Sequence, residues 1–420
     1  MNREQALDKL GLLANVLCGG DRLWGSLGAF VLPGRGFTPY KPKTIQAVYL
    51  PAWFIDAEVQ ANVWESDRSD DSETVTAFTS NSFMPGFSIE PLSRLSLNCD
   101  ALIKHETVPW FDQLRVQNGE EIVCQPFTLS PLALQDAARS LSLKQAQISE
   151  GFRLDPSSVN FHMLAAYPVL IPVWLAQYEQ HWIAGQTSTI TIGIEAWSRW
   201  GPRVFSELPD EPFASAVSKF WPSGLVKSDR GPDLLVYGPY REHIQEFADM
   251  NVVCRIPDNK NRSAMLNEWI NNYVSHQAAM SSFESRYFSK ADDATIDWDD
   301  LRIRELSEEE TSRNKEYLNL SVHTLMMQNL VDALQSDGKR PKVITVSINF
   351  SKKNKSDDKK SGSPLPNASG SELQDEQAIT FIKSQLEKAV QQRDKKRPRW
   401  LTEWTEKRVT ASGNNDKEQQ

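Results

Sequence analysis

The sequence predicts an α+β protein: a β-rich body with an internal pseudo-repeat, flanked by terminal amphipathic helices. Three observations predict it. One strand-like segment is stated twice, as Val48-Tyr-Leu-Pro51-Ala-Trp53-Phe-Ile-Asp-Ala-Glu58 and Val169-Leu-Ile-Pro172-Val-Trp174-Leu-Ala-Gln-Tyr-Glu179, with Val, Pro, Trp and Glu in register. Apolar and polar residues alternate over 189–196 and 343–350, the period of a half-buried strand. Apolar spacings of three and four mark helices at both ends, over 4–18 and from 371 onward,.

In chain order, the first helix carries Ala6, Leu7, Leu10, Leu13, Val16 and Leu17 on one face and stops at Gly19-Gly20,. Residues 22–36 hold four glycines and Pro33 beside Leu23, Trp24, Leu27, Phe30 and Val31, and read as an apolar loop packed on something rather than a free linker. From Ile45 branched and aromatic residues give the bias of a strand,. The proline in each echoed segment donates no ladder hydrogen bond, so each copy is expected as a kinked strand at an edge, a bulge or a strand start. Residues 65–75 read as a polar hairpin tip or loop. A second echo, Phe87-Ser-Ile-Glu-Pro91-Leu92 and Phe127-Thr-Leu-Ser-Pro131-Leu132, twice runs a short strand into a proline suited to a first helical turn,. Residues 37–200 therefore read as one pseudo-symmetric unit, either a duplicated half or two facing sheets.

Beyond it come the alternating strand at 189–196, a short strand at Leu234–Tyr237 and a helix over 263–274 with Met265, Leu266, Trp269, Ile270 and Tyr273 on one side. A longer helix opens at Ser307-Glu-Glu-Glu310, which matches a capping box. It continues through Tyr317, Leu318, Val322, Leu325, Met326, Leu330 and Leu334, with Asn329 on the wetter side. After the strand at 343–350, residues 351–370 have almost no apolar content and the composition of a disordered linker,. The last helix carries the stripe Ile379, Ile382 and Leu386 and ends before Pro398. The chain thus divides into an N-terminal helix and apolar loop (1–36), an α+β body (37–350, β-rich over 37–200 and mixed over 201–350), a linker (351–370) and a helical basic tail (371–420).

The net charge of −9 is unevenly placed: residues 351–420 hold 15 Lys and Arg against 11 Asp and Glu, so residues 1–350 carry −13. A body this acidic repels a phosphate backbone, which argues against nucleic acid except through the basic tail. Cys18, Cys99, Cys124 and Cys254 stand far apart without a CxxC pair, the pattern of reduced thiols rather than of a zinc site or a disulfide scaffold. Met1-Asn-Arg-Glu-Gln lacks the basic and apolar regions expected of a signal peptide,, and no stretch reaches the ~18 apolar residues of a membrane span. An intracellular, cytoplasmic setting is expected, with nucleus and mitochondrion left open.

The common chemical motifs are missing: no phosphate loop, no dinucleotide fingerprint, no nucleophile elbow and no His-Glu-x-x-His,. No cofactor and no metal are expected. The candidate catalytic residues are Glu58 and Glu179, which occupy the same place in the two echoed strands, and His181, which follows Glu179 and precedes Trp182. If the two copies converged about a pseudo-twofold axis, one carboxyl would be pushed up as acid–base work requires. The simpler reading makes each Glu the solvent-facing residue at a strand end. Trp53, Trp174, Trp182 and Trp197 are the candidate lining of an apolar or aromatic ligand site, or else core. The acidic run from Asp292 to Asp300 lacks the glycine of a calcium loop and reads as a solvated turn,. In the tail, Ile379, Ile382, Leu386, Trp400 and Trp404 are candidate partner contacts, and the alternative is a helix docked on its own body.

The two segments Leu50-Pro-Ala-Trp-Phe-Ile-Asp-Ala57 and Tyr167-Pro-Val-Leu-Ile-Pro-Val-Trp174 resemble those of an uncharacterised, mostly bacterial family with paired Pro-x-Trp strands. Its members usually add an N-terminal zinc ribbon, for which this chain lacks the cysteine pairs. The resemblance implies no activity. The sequence reading is a non-enzymatic intracellular interaction or assembly protein that binds another protein; the alternative is an enzyme or binding protein for an apolar or aromatic ligand in a Trp-lined pocket.

Overall fold

The two echoed segments become the longest strands of the sheet and lie side by side. The computed structural model describes residues 1–18, 23–32, 35–65, 72–88, 92–94, 107–117, 119–144, 146–149, 152–181, 187–197, 203–207, 223–226, 234–237, 249–254, 296–335, 344–348 and 372–418. The chain runs α1 (Arg3–Cys18), α2 (Leu23–Val31), β1 (Thr44–Glu65), β2 (Ser72–Pro85), β3 (Val116–Gln117), β4 (Glu120–Glu121), β5 (Val123–Cys124), α3 (Leu134–Arg139), β6 (Gln147–Ser149) and β7 (Phe152–Leu154). It continues through β8 (Asn160–His181), β9 (Thr187–Glu195), β10 (Val204–Glu207), β11 (Ser223–Val226), β12 (Leu234–Tyr237), β13 (Asp249–Cys254), α4 (Glu308–Gln335), β14 (Ile344–Ile348), α5 (Glu372–Lys396) and α6 (Arg399–Glu418). The long sheet has the order β11-β12-β10-β9-β8-β1-β2-β13-β14 and makes the chain α+β. The predicted helix at 263–274, the tip of the β1–β2 hairpin and the linker lie outside the described residues.

β1 and β8 pair antiparallel from Thr44↔Gln177 to Gln60↔Asn160, with one shift after Glu58. Leu50 pairs with Ile171, and these two residues hold the same place in the echo. Matching residues therefore leave this pair in opposite directions along one ladder. The two copies share a sheet instead of facing each other from two.

The prolines correct the expected kink. Pro51 and Pro172 both sit inside uninterrupted pairing, opposite Leu170 and Tyr49. A strand residue points its N and its C=O to the same side. Pro51 O accepts from Gly86 N at 2.9 Å, and Pro172 O accepts from Ala196 N at 2.9 Å, so both residues turn their backbone polar atoms away from the shared β1–β8 ladder. Pro51 falls in the gap where β5, paired at Val48 and Tyr49, gives way to β2, which begins at Ala52. Pro172 falls just past the last β8–β9 pair, Val173↔Glu195. Each proline occupies a point where the outer ladder ends, so its missing N–H costs nothing.

Alternation then sorts the two faces of the sheet. On one face Val48, Leu50 and Ala52 join Ile171, Val173 and Phe205, and Phe54 joins Phe78, Met163, Ala165 and Tyr167 beneath α4 and α6. On the other, α1 seats Ala6, Leu10, Leu13 and Leu17 on Trp174, Ala176, Tyr178, Ile190, Ile192 and Ile194, each buried leucine contributing about 1.5–3 kcal/mol. Further along that face, Trp53, Ile55 and Ala57 pack with Met84, Leu129 and Leu164. Gly193 lies under the Phe205 ring, which an added Cβ would meet at 2.2 Å; this explains a glycine in the middle of the cleanest strand. At the Ser130-Pro131 corner the helical turn forms, with Ser130 Oγ accepting from Leu132 N, but residues 125–130 that lead into it are not the expected strand. The start of α4 forms as expected, where Ser307 Oγ accepts from Glu310 N.

Two further expectations fail. Residues 22–36 hold the helix α2, whose large apolar side chains face outward instead of packing on the body. Its inner side is built from Gly25, Ser26, Gly28 and Ala29, small enough to approach residues 37–40 closely. Asn329 is buried, because α5 packs along α4 and closes a second face of that helix. None of the described helices is long and apolar enough to cross a membrane.

Beside the first cluster, Arg203 and Glu195 form a buried ion pair: Arg203 Nε donates to Glu195 Oε1 at 2.7 Å and Arg203 N donates to Oε2 at 3.0 Å. Glu195 is 1 % and Arg203 3 % exposed. Arg203→Met strands the carboxylate in a dry core and is expected to lower the unfolding free energy by about 3–5 kcal/mol. The double variant Glu195→Gln/Arg203→Met should recover most of that loss. Urea denaturation checks both, and an additive double variant would show that the pair is not coupled.

Candidate functional site

The ladder sets where the sequence candidates fall. Glu58 stands opposite Met163 at one end of the β1–β8 pairing, while Glu179 lies two residues past Gln177 at the other. Roughly sixteen ladder positions separate them, about 50 Å along the strands. Glu179 is exposed and pairs with Lys43 at 3.4 Å. The carboxylates do not converge, because an antiparallel pairing centred on Leu50 and Ile171 sends equivalent residues to opposite ends. The side chain of His181 and the whole of Trp182 lie outside the described residues.

The tryptophans part in the same way. Trp53 is opposite Pro168 and Trp174 opposite Ala47, about 20 Å apart along the strands. Trp53 Nε1 donates to Leu129 O at 2.8 Å and Trp174 Nε1 to Met1 O at 3.2 Å. Each indole is thus tied to the segment that covers its own end of the face. Trp197 packs in a third cluster on the opposite face. Among the described residues these rings are three pieces of core and do not share a pocket. Trp53 also stacks on Trp298, with Phe127 set edge-on to both.

The polar chemistry gathers where the C-terminal helices meet β1 and β8. Asp56 shares the face of Leu50, Ala52 and Phe54, so strand alternation drives a carboxylate into the core. The β1–β2 register breaks there, between Ile55↔Ser82 and Ala57↔Thr79. Two β2 residues, Ser80 and Asn81, stand against the single β1 residue Asp56, and the φ of 60° at Asn81 lies in the left-handed region that Asn tolerates. That bulge turns Asn81 N toward Asp56 Oδ1 at 2.9 Å,.

The other carboxylate oxygen ends a chain of donors from three more elements. Trp400 Nε1 donates to Asn314 Oδ1 at 3.2 Å, Asn314 Nδ2 to Tyr167 OH at 2.7 Å, and Tyr167 OH to Asp56 Oδ2 at 2.8 Å. An indole only donates, which fixes the amide orientation and leaves the tyrosine proton for Asp56. Burial raises the Asp56 carboxyl, opposed by the bonds from Asn81 and Tyr167. Burial and the neighbouring Asp56 charge hold the Tyr167 phenol well above its usual range. The strand positions of Asp56 and Tyr167 were open to reading from alternation; their partners on α4 and α6 carry no local signal.

Glu58, next on this face, lies under α5. Burial raises its carboxyl and the charges of Arg393 and Arg397 pull it back; burial and then Glu58 raise Tyr317 of α4. This half-buried charge cluster sets Glu58 of β1 within electrostatic reach of Arg393 of α5 and of Arg397 just beyond it. It contains an acid but no nucleophile set beside a base.

Two of the tail residues predicted for a partner, Trp400 and Trp404, pack on the chain's own body. Trp400 is buried in the cluster of Phe54, Tyr167 and Tyr317, and Trp404 packs at its margin. Arg304 lies 5.8 Å over Trp400, and Arg302 and Arg408 lie 5.6 and 5.2 Å from Trp404. Arg408 also donates to Phe161 O and Asn160 Oδ1. Trp400 and Trp404 of the basic–aromatic segment therefore dock on the chain's own body, with Arg302 and Arg304 of the body and Arg408 of the tail set against their rings. Ile379, Ile382 and Leu386 are half-buried on α5.

Tyr167→Phe removes one hydroxyl and leaves both Asn314 and Asp56 short of a buried partner, at an expected cost of about 1–3 kcal/mol. Asp56→Asn tests the carboxyl. A raised folded value means that the protonated form suits the fold, so its contribution is full below the ordinary carboxyl range and fades as pH rises through the raised value. The advantage of wild type over Asp56→Asn should thus be largest near about pH 4 and shrink toward about pH 7; denaturation at several pH values would contradict it by showing the reverse slope. No family model, curated protein or solved structure matches this chain.

Proposed function

We propose that the chain is a non-enzymatic, intracellular protein–protein interaction or assembly protein, and that the open end of the α4–α5 helix pair meets its partner. One observation carries this reading: Phe381 of α5 is 63 % exposed, and Leu330 and Leu334 of α4 are exposed as well. Lys396 near the end of α5 pairs with Glu316 near the start of α4 at 3.0 Å, so the helices run antiparallel and these three residues come to one level, far from that pair. Apolar side chains left outward at a helix-pair end suit a helix-in-groove or helix-on-helix contact. The kinship with paired Pro-x-Trp proteins is part of the proposal and adds no activity to it.

Distance between Glu58 and Glu179, and the separate cores around Trp53, Trp174 and Trp197, weigh against an enzyme or a Trp-lined ligand site. A reducing compartment agrees with the free thiols of Cys18 and Cys124; burial pushes the Cys18 thiol up to about 12, which keeps it inert,.

Truncation at Ser351 is a poor test, because it strips Trp400 and Leu401 from the core. The triple variant Leu330→Ser/Leu334→Ser/Phe381→Ser changes exposed positions only. Affinity capture with the full chain should lose its partner in this variant while circular dichroism and the melting temperature stay at wild-type values. The same partner retained at the same yield would sink the assignment.

A further inference from the structure

We infer that α2 is a membrane-interface helix, which lays its outward side into the surface of an anionic bilayer. The helix is built inside out. Its inward residues are Gly25, Ser26, Gly28 and Ala29, with Ser26 and Ala29 fully buried and Ser26 Oγ accepting from Tyr40 N at 3.0 Å. A Cβ added at Gly25 would meet Thr38 O at 2.8 Å, and one added at Gly28 would run into the Phe37 ring at 2.4 Å. The outward residues are Trp24, 80 % exposed, Val31, 61 % exposed, and Leu27 and Phe30, with Leu32 and Phe37 beside them. A surface helix of a water-soluble protein puts these residue types the other way round.

Charge selects the bilayer among possible covers. Residues 21–42 carry Arg22, Arg35 and Lys41 against Asp21 alone, a surplus of +2 within a chain of −9, and Lys43 just beyond them pairs with Glu179. Arg35 and Lys41 are exposed beside α2. The helix itself holds no charged residue. An apolar face with a tryptophan, rimmed by cations, matches the chemistry of the headgroup boundary of an anionic leaflet. A nine-residue helix is about 14 Å long, less than half of the ~30 Å hydrocarbon core. It lies in the interface and does not cross it. This surface is independent of the α4–α5 end.

Co-sedimentation of the full chain with vesicles tests the inference. Phosphatidylcholine vesicles containing phosphatidylserine should bind the chain, vesicles of phosphatidylcholine alone should bind it far less, and added salt should weaken the binding. Trp24→Ser/Leu27→Ser/Phe30→Ser should lower the partition coefficient at least about tenfold, and Arg35→Glu/Lys41→Glu roughly tenfold. All five side chains point outward, so melting temperatures should stay at the wild-type value. Equal binding to the two vesicle types, no binding to either, or unchanged binding by the apolar variant overturns the inference. So does sedimentation velocity showing self-association that the apolar variant abolishes, which would make α2 a contact between two copies of the chain.

Discussion

The antiparallel ladder between β1 and β8 is the constraint on which the rest depends. With Leu50 opposite Ile171, every equivalent pair of residues in the two echoed segments is driven apart in proportion to its distance from that point. The prolines, one step away, remain close and mark where the outer ladders stop. The tryptophans, three steps away, anchor two different covers on one face. The glutamates, eight steps away, end in two unlike settings, Glu58 under α5 and Glu179 in water beside Lys43. One register thus accounts for a conserved-looking motif whose members do not act together.

The ladder also creates the need that the C-terminal helices fill. Alternation places Asp56 and Tyr167 on the core side of adjacent strands, and a buried polar pair is costly until it is satisfied. Asn314 and Trp400 complete it from α4 and α6. Hydrogen bonds that all point toward one carboxylate tie four elements distant in sequence into a single arrangement. Trp400, Trp404 and Arg408 of the tail are used in this docking. Two apolar surfaces stay outward: the end of the α4–α5 pair and the outer side of α2.

Much of this was legible in the sequence where local physics decides. The alternation at 189–196, the Ser307 capping box and the spacing of Ala6, Leu10, Leu13 and Leu17 each rest on near neighbours and reappear as β9, α4 and α1. Where a distant element decides, the sequence misleads. Asn329 reads as wet until α5 covers it, and Trp400 reads as a free contact until Asn314 accepts its N–H. Pro51 reads as a kink because nothing local shows that β5 stops and β2 starts beside it. For α2, the glycines suggested a loop, although their role is to let a helix approach residues 37–40. Among the candidate catalytic residues that are described, Glu58 lies in a cluster of charged and polar groups, and Tyr317, Arg393 and Arg397 around it come from far along the chain.

The β1–β8 register is tested most directly by oxidative cross-linking at exposed ladder positions. Thr44 and Gln177 are both exposed and directly opposed, within the Cα separation that a disulfide bridges. Thr44→Cys/Gln177→Cys should form an intramolecular bridge on mild oxidation, identified by mass spectrometry of the unreduced peptides, while Thr44→Cys/Asn160→Cys should not. A bridge to position 160, or none to position 177, would contradict the pairing and with it the separation of the echoed residues.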